Sequence, residues 1–489
     1  LNYLNQDCLL DWLDIHGKSH GYEKERPSVY DQLICTQKQH LIQSIIDEYP
    51  TSTRCVDVAS TMHAVRSRVA LIINPVLRYE LLKIEVRPTF LRWDKCQDAY
   101  QVMHVQYKKL KFLKDGVKLS LRKDQLYAQM VAYWATQALL AANVTVMVDP
   151  IVRGSTSHGL VQTGALVEAY CLRWNAALRW RRKVQEGVHL KPGETVQMCP
   201  NMCNTQDYGW QHVKQDIGNN IGDITQVWQC RPSHRANAFG KGVKNIFDRR
   251  CTVNTIGFGN GKQDNINHRK TVGAILKQCR SRQIKTPRIW KGFVTHCVND
   301  YYIDLEYVND VLFNSPHPTM IYMIGIGYMQ HGKWTILEFV ADALSTYSEK
   351  AIINQFHTWI RGLTHVPRFI HWSCAEPSQH RAACTRHCIT APEMTYVDLM
   401  KVFIDTPLTV KGCLNFKLKN ITKALHANGL IQSNYDDLEC TNGVDAMVLC
   451  WQHYGMIHKD VEFEVKPMDS IIKYNRIDTK VLYDIHELF

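Results

Sequence analysis

Asp304 and Glu306 stand two positions apart in the apolar run YYIDLEYVND (301–310), and Tyr474 and Asp478 stand four apart in YNRIDTKVLYDI (474–485). Strand residues i and i+2 point to the same face, so the first pair sets two carboxylates side by side. Left alone these acids repel. A cation bridges them, basic side chains neutralise them, or the run is an exposed turn where the charges cost little. Helix residues i and i+4 lie one above the other, so the second pair presents a phenol and a carboxylate together. Carboxylates converging on two divalent cations are what metal-dependent phosphodiester hydrolysis requires, because the cations activate water and stabilise the leaving oxygen. Taken singly, Asp478 reads better as a solvated acid on a helix surface.

The elements that would position these residues follow a regular order. A strand (301–308) precedes two β-rich runs, MIYMIGIGYMQHGKWTILEFVAD (320–342), whose HGK centre predicts a hairpin. Ile352, Ile353, Phe356, Trp359 and Ile360 recur at helical spacing in 348–360. Strand-like RFIHWS, a further helix and strand-like YVDLMKVF (396–403) follow. The remainder predicts a helix closed by Gly429, a helix in DAMVLCWQHYG, and a helix over 469–489 capped by Asp469 or Ser470. Strand, hairpin, helix, strand, strand, helices is the order of an RNase H-like sheet.

At these residues the chain resembles a known family. The D-x-E strand, the hairpin IYMIGIGY, HWSCAEP (371–377), YVDLMKVF and YNRIDTKVLYDI are similar to the YprB-type RNase H-like domain, a relative of the DEDD exonucleases. The resemblance implies that Asp304, Glu306 and Asp478 ligate Mg²⁺ or Mn²⁺, two ions in all. Tyr474, as in the tyrosine subtype, would place the attacking water. In that scheme Asp304 is shared with the second ion. Glu376 stands where the family's second motif carries Asp, and Asp398 matches a further aspartate of the pattern; a structural strand-end role fits Asp398 equally well.

The first half resembles the RecB-like PD-(D/E)xK nuclease core, on VRPTFLRWDKCQDAYQVMHVQYKKLKFLKDG (86–116) and QLYAQMVAYWATQAL (125–139). Gln129 and Tyr133 match its Gln-x-x-x-Tyr helix. Thr89, however, follows Pro88 where the family has Asp, and His104 and Gln106 replace the acid and the lysine. No Asp or Glu lies between Asp98 and Asp115, so no shift of register restores a carboxylate. A divalent ion then has no anchor. The resemblance implies a domain that keeps its shape and binds nucleic acid without cutting; His104 as a substitute ligand is a weaker reading than a buried structural histidine.

Composition sets the outer bounds. The formal charge is +12, from 58 Lys and Arg against 46 Asp and Glu, which fits an anionic partner, DNA or RNA. Seventeen irregularly spaced cysteines point to a reducing, intracellular compartment, cytoplasmic or nuclear. The most apolar run, 130–148, carries polar residues and predicts a buried helix followed by a core strand, so no membrane partner is expected. Cys374, His380, Cys384, His387 and Cys388 lack the paired C-x-x-C spacing of structural zinc sites, and a helix is expected there. GFGNGK lacks the spacing of a phosphate loop. The first residue is Leu and Phe489 falls within a helical pattern, so a piece of a longer chain is expected.

The sequence therefore predicts an α/β protein in three parts. A degenerate PD-(D/E)xK restriction-endonuclease-like domain, catalytically inactive, spans 1–190. A basic loop-and-helix connector spans 191–298, and an RNase H-like mixed-sheet domain of DEDD type spans 299–489. The expected activity is a 3′–5′ exonuclease, within a recombination or repair complex. The competing expectation is a decayed nucleic-acid-binding or scaffolding protein.

Overall fold

The computed structural model describes residues 2–187, 190–261, 264–281, 295–312, 319–436, 438–457 and 466–488. Among these the chain is mixed α/β, with fourteen α-helices and open mixed sheets. No described helix is long and apolar enough to cross a membrane. Two compact units form: Leu1–Ile15, Arg26–His189 and Val311–Ser315 make the first, and His16–Glu25, Leu190–Asp310 and Pro316–Phe489 the second.

In the first unit the strands Ser52–Arg54, Leu71–Ile73, Phe90–Asp94, Ala99–Val105, Ile151–Arg153 and His158–Leu160 lie side by side in that order. Ala99–Val105 is buried at every position, as expected of a strand covered on both faces. Helix Lys123–Ala141 packs on it through Ala128, Ala132, Ala135 and Ala138. These small residues let helix and sheet approach closely.

The expected core strand after this helix does not form. Asn143 takes a left-handed turn (φ 56°) and Pro150 follows, leaving room for a single bridge between Val146 and Tyr100, with Val148 exposed.

The second unit holds a five-stranded sheet in the order Lys333–Val340, Met320–Gln330, Asp300–Val308, Arg368–His371, Thr395–Asp398. The first three are antiparallel and the last two join in parallel. The hairpin expected about HGK and the helix expected over 348–360 (Thr346–Arg361) both form. Phe356 of that helix is fully buried against Phe339 and Phe369, and its truncation to Ala is expected to cost roughly 3–5 kcal/mol.

Alternation along Asp300–Val308 sorts its neighbours: Tyr301 meets Trp359 of Thr346–Arg361, whereas Tyr302 meets Tyr483 of Pro467–His486. Positions 302, 304 and 306 therefore share the face that receives helix Pro467–His486.

Two expectations of detail are corrected. The run 396–403 is not one strand: the strand ends at Asp398, whose carboxylate accepts from Lys401 N at 3.2 Å and so starts helix Leu399–Asp405. The last helix begins at Pro467 rather than at Asp469 or Ser470, because proline's fixed φ suits the first helical position, and Lys466 before it offers no side-chain cap. Phe489 lies outside the described residues, as does the basic run 277–288 from 282 onward.

Residues of 191–298 belong to the second unit and share its core. Ile224, Val227, Ile246, Phe258 and Ile275 form one apolar cluster with Ile370, Phe403, Ile421 and Leu482. Hydrogen bonds join the same segments: Trp228 N donates to Leu414 O at 2.8 Å, and the Thr271 hydroxyl donates to Ile404 O at 2.7 Å. A buried ion pair, Arg235 to Asp223 at 2.9 Å, holds Pro232–Gly240 against the preceding loop, and Arg235 also donates to Pro200 O at 2.6 Å.

Candidate metal centre

Asp304, Glu306 and Asp478 offer carboxylate oxygens that all lie within 4.8 Å of one another. The strand supplies the first two on one face, and helix Pro467–His486 supplies the third from a stripe that buries Ile471, Tyr474, Asn475, Asp478 and Leu482 against the sheet. This spacing of three and four residues is the ordinary stripe of a core-facing helix, here carrying polar groups at its centre.

Burial, with repulsion focused on Asp304, leaves the trio poorly suited to standing without positive charge. Burial, then Asp478, Glu306 and Glu376, push the Asp304 carboxyl well above its usual range. Burial and Asp478 raise Glu306 to about 8, and burial raises Asp478 to about 6. Opposing this, Tyr435 donates its phenol proton to Asp478 Oδ1, and the Lys419 ammonium favours the charged acids. Asn475 Nδ2 donates to Asp304 Oδ2 at 2.7 Å. The acids are oxygen donors of the kind that hard divalent cations take.

Two tyrosines flank the acids. The Tyr474 and Tyr435 rings lie 6.3 Å apart, and Lys419 Nζ sits 4.4 Å from the centre of Tyr474 and 5.0 Å from that of Tyr435. Burial, then Asp478, raises the Tyr474 phenol above its usual value, so it stays protonated. Of these neighbours, Tyr435, Lys419 and Asn475 are additions to the sequence reading. Asn475 was adjacent to a flagged residue, but Tyr435 and Lys419 reach the site from loop and helix segments with no motif of their own.

The other proposed acids are placed differently. Glu376, in the first turn of Ala375–His387, acts electrostatically on Asp304 and Asp478 but is not brought into the group of three. Its Oε2 lies 3.2 Å from His371 Nδ1 without the alignment of a hydrogen bond. The Asp398 carboxylate is taken by Ser373 N at 2.8 Å and by the helix cap.

In the first unit, Thr89 Oγ1 accepts from Val105 N at 2.9 Å and lies 3.3 Å from His104 Nδ1. Burial, then Lys38, lowers the His104 imidazole to about 3, so it stays neutral. Gln106 Nε2 donates to Asp124 O at 2.8 Å and Gln129 Nε2 to Ser120 O at 3.0 Å, while Tyr133 stacks on Trp174 with centroids 5.3 Å apart. These side chains are engaged in local packing and backbone bonds. Among the described residues His104 belongs to no cluster of three metal-ligating side chains.

No protein-family model matches the chain, and no curated protein matches it.

Proposed function

We propose that the second unit hydrolyses phosphodiester bonds of DNA or RNA, as a 3′–5′ exonuclease using two Mg²⁺ or Mn²⁺ ions. The observation that carries the reading is the convergence of Asp304, Glu306 and Asp478, from a strand and a distant helix, beside Tyr474. The strand order, with the D-x-E strand central and two parallel strands beyond it, supports an RNase H-like sheet. The group fits divalent cations: burial raises all three acids, and Asp478 and Glu306 raise Asp304 further, the state a bound cation relieves. When bound, the cations supply positive charge that activates water and stabilises the leaving oxygen.

The chain's own residues would do the rest. Asp304, Glu306 and Asp478 would hold the cations, and the Asn475 amide would fix the Asp304 carboxylate. The protonated Tyr474 phenol would orient the attacking water by a hydrogen bond, and Lys419 would offer charge to the scissile phosphate. The first unit, of PD-(D/E)xK type in this reading, would bind nucleic acid without cutting, because no carboxylate stands where that chemistry needs one.

The test is degradation of 5′-labelled single-stranded DNA and RNA in Mg²⁺ or Mn²⁺ by the full chain and by an Asp304→Ala/Asp478→Ala variant. Metal-dependent ladders that vanish in the variant support the proposal. No cleavage by folded protein in either metal refutes it and favours a decayed nucleic-acid-binding or scaffolding protein of a repair or recombination complex.

A further inference from the structure

On the opposite side of the D-x-E strand from its acids, a second set of donor atoms gathers in the core. His357 of helix Thr346–Arg361 is fully buried, and His380 and Cys384 of helix Ala375–His387 are 5% and 8% exposed. His380 and Cys384 are four residues apart, so they project from one face of their helix toward its neighbour. The two Nε2 atoms are 2.8 Å apart and Cys384 Sγ lies 3.5 Å from His380 Nε2; one donor atom from each residue falls within 4.8 Å of the others. Among the described residues the two rings pack against each other and against Phe356, and His380 also against Tyr396.

We propose that His357, His380 and Cys384 bind a zinc ion that fastens these two helices together, independently of the carboxylate site. Imidazole and thiolate are the ligands borderline-soft zinc prefers, whereas Mg²⁺ and Mn²⁺ prefer oxygen. His380 is oriented as a metal ligand is: its far nitrogen, Nδ1, lies 3.1 Å from the Tyr396 hydroxyl, whose oxygen can accept a hydrogen bond from Nδ1–H and leave the Nε2 lone pair for the ion. Burial keeps both imidazoles neutral, lowering each to about 4, so neither must shed a proton to bind. The thiol, raised by burial, would lose its proton to solvent on coordination. Without an ion, the two buried histidines would share one hydrogen bond between them and leave His357 Nδ1 with no partner, at a point where apolar side chains would pack as well. Three protein ligands leave the fourth position of a tetrahedral site for a buried water molecule.

The sequence signal was present in His380 and Cys384 but incomplete. The third ligand comes from another helix, so no local spacing announced it.

The test is elemental analysis of the purified full chain after dialysis, together with Co²⁺ substitution. The expected result is about one zinc per chain, and a thiolate-to-cobalt charge-transfer band in the near ultraviolet. Cys384→Ser should abolish the band and His357→Gln should lower zinc content, whereas Asp304→Asn/Asp478→Asn should leave both unchanged. Wild-type protein that takes up no zinc, or binds Co²⁺ without the thiolate band, overturns the proposal. So does folded Cys384→Ser that keeps the band. Should Cys384→Ser fail to fold, His357→Gln decides: folded His357→Gln with undiminished zinc overturns the proposal.

Discussion

Gly325 and Asn475 occupy one space: a Cβ built on Gly325 would overlap the Asn475 amide, and that amide donates to Asp304, which is Gly325's partner across the sheet. The glycine is required by this close approach of a helix side chain to the sheet, and its backbone is ordinary strand. Gly325→Ala is expected to destabilise the second unit by about 1–3 kcal/mol through overpacking and to weaken Mn²⁺ binding by calorimetry. Gly164→Ala, at a helical position where nothing lies within 4 Å, serves as the control and should be neutral or slightly stabilising. Equal effects from the two would contradict the packing account.

The two tyrosines should separate in their effects. Tyr474→Phe keeps the ring and removes the hydroxyl proposed to orient water, which also hydrogen-bonds Asp478, so turnover at saturating cation should fall about 100-fold or more beyond any loss of cation affinity. Tyr435→Phe removes a donor to Asp478, and a hydrogen bond to a charged group is worth about 1.5–3 kcal/mol. Cation affinity should therefore fall at least about tenfold, read by titration with Mn²⁺. Unchanged turnover in Tyr474→Phe would remove that residue from the mechanism.

Without metal, the raised acids make stability fall with pH. Folded Asp304, Glu306 and Asp478 hold their protons more tightly than the unfolded chain, whose carboxyls titrate near pH ~4. Their contribution is full below that value and is lost as pH rises through about 6 for Asp478 and about 8 for Glu306. In chelator, urea midpoints should therefore decline from pH ~5 to ~8, and Mn²⁺ should remove the decline. Asp304→Asn/Asp478→Asn should flatten the slope; a wild-type slope that is already flat or rising would contradict the assignment.

Glu349 tests stability away from the chemistry. Its buried carboxylate accepts two bonds from Arg386 at 2.9 Å, lies 2.7 Å from His387 Nε2, and accepts from Ile321 N at 2.7 Å. Glu349→Gln leaves Arg386 with an uncompensated charge and should cost roughly 3–5 kcal/mol. A change below about 0.5 kcal/mol by chemical denaturation would class the cluster with weak surface pairs.

In the first unit, His104→Phe should leave cleavage by the full chain unchanged. It should also blunt acid unfolding: the buried imidazole resists protonation down to about pH 3, so folded stability falls as pH drops below the ordinary value of about 6.5. Loss of cleavage in a folded variant would return His104 to the chemistry.

The hairpin, the helix over Thr346–Arg361 and the face shared by Asp304 and Glu306 were legible because alternation and helical spacing are strong there. The boundary at Asp398 was not, since apolar YVDLMKVF fits a strand until the aspartate is seen as a helix cap. The segment 191–298 read as a connector because its buried Ile224, Val227 and Cys230 sit among Gly, Asn and basic residues without a sustained period. Short turns and a 3₁₀ helix, Ile224–Gln226, carry those side chains inward, and only the long-range packing reveals them. Tyr435 and Lys419 were invisible for the same reason: their role exists only once the chain has folded back on itself.

Ribosomes deliver a chain in order, and the three acids are not delivered together. A nascent chain extruded through the whole sheet carries Asp304 and Glu306 but neither Asp478 nor Tyr474, which arrive with Pro467–His486. Until that helix docks, the face of the central strand is a half-made site with two repelling carboxylates and no third arm. Any capacity to hold cations is thus acquired late in biosynthesis, and a chain truncated before that helix would be built without it.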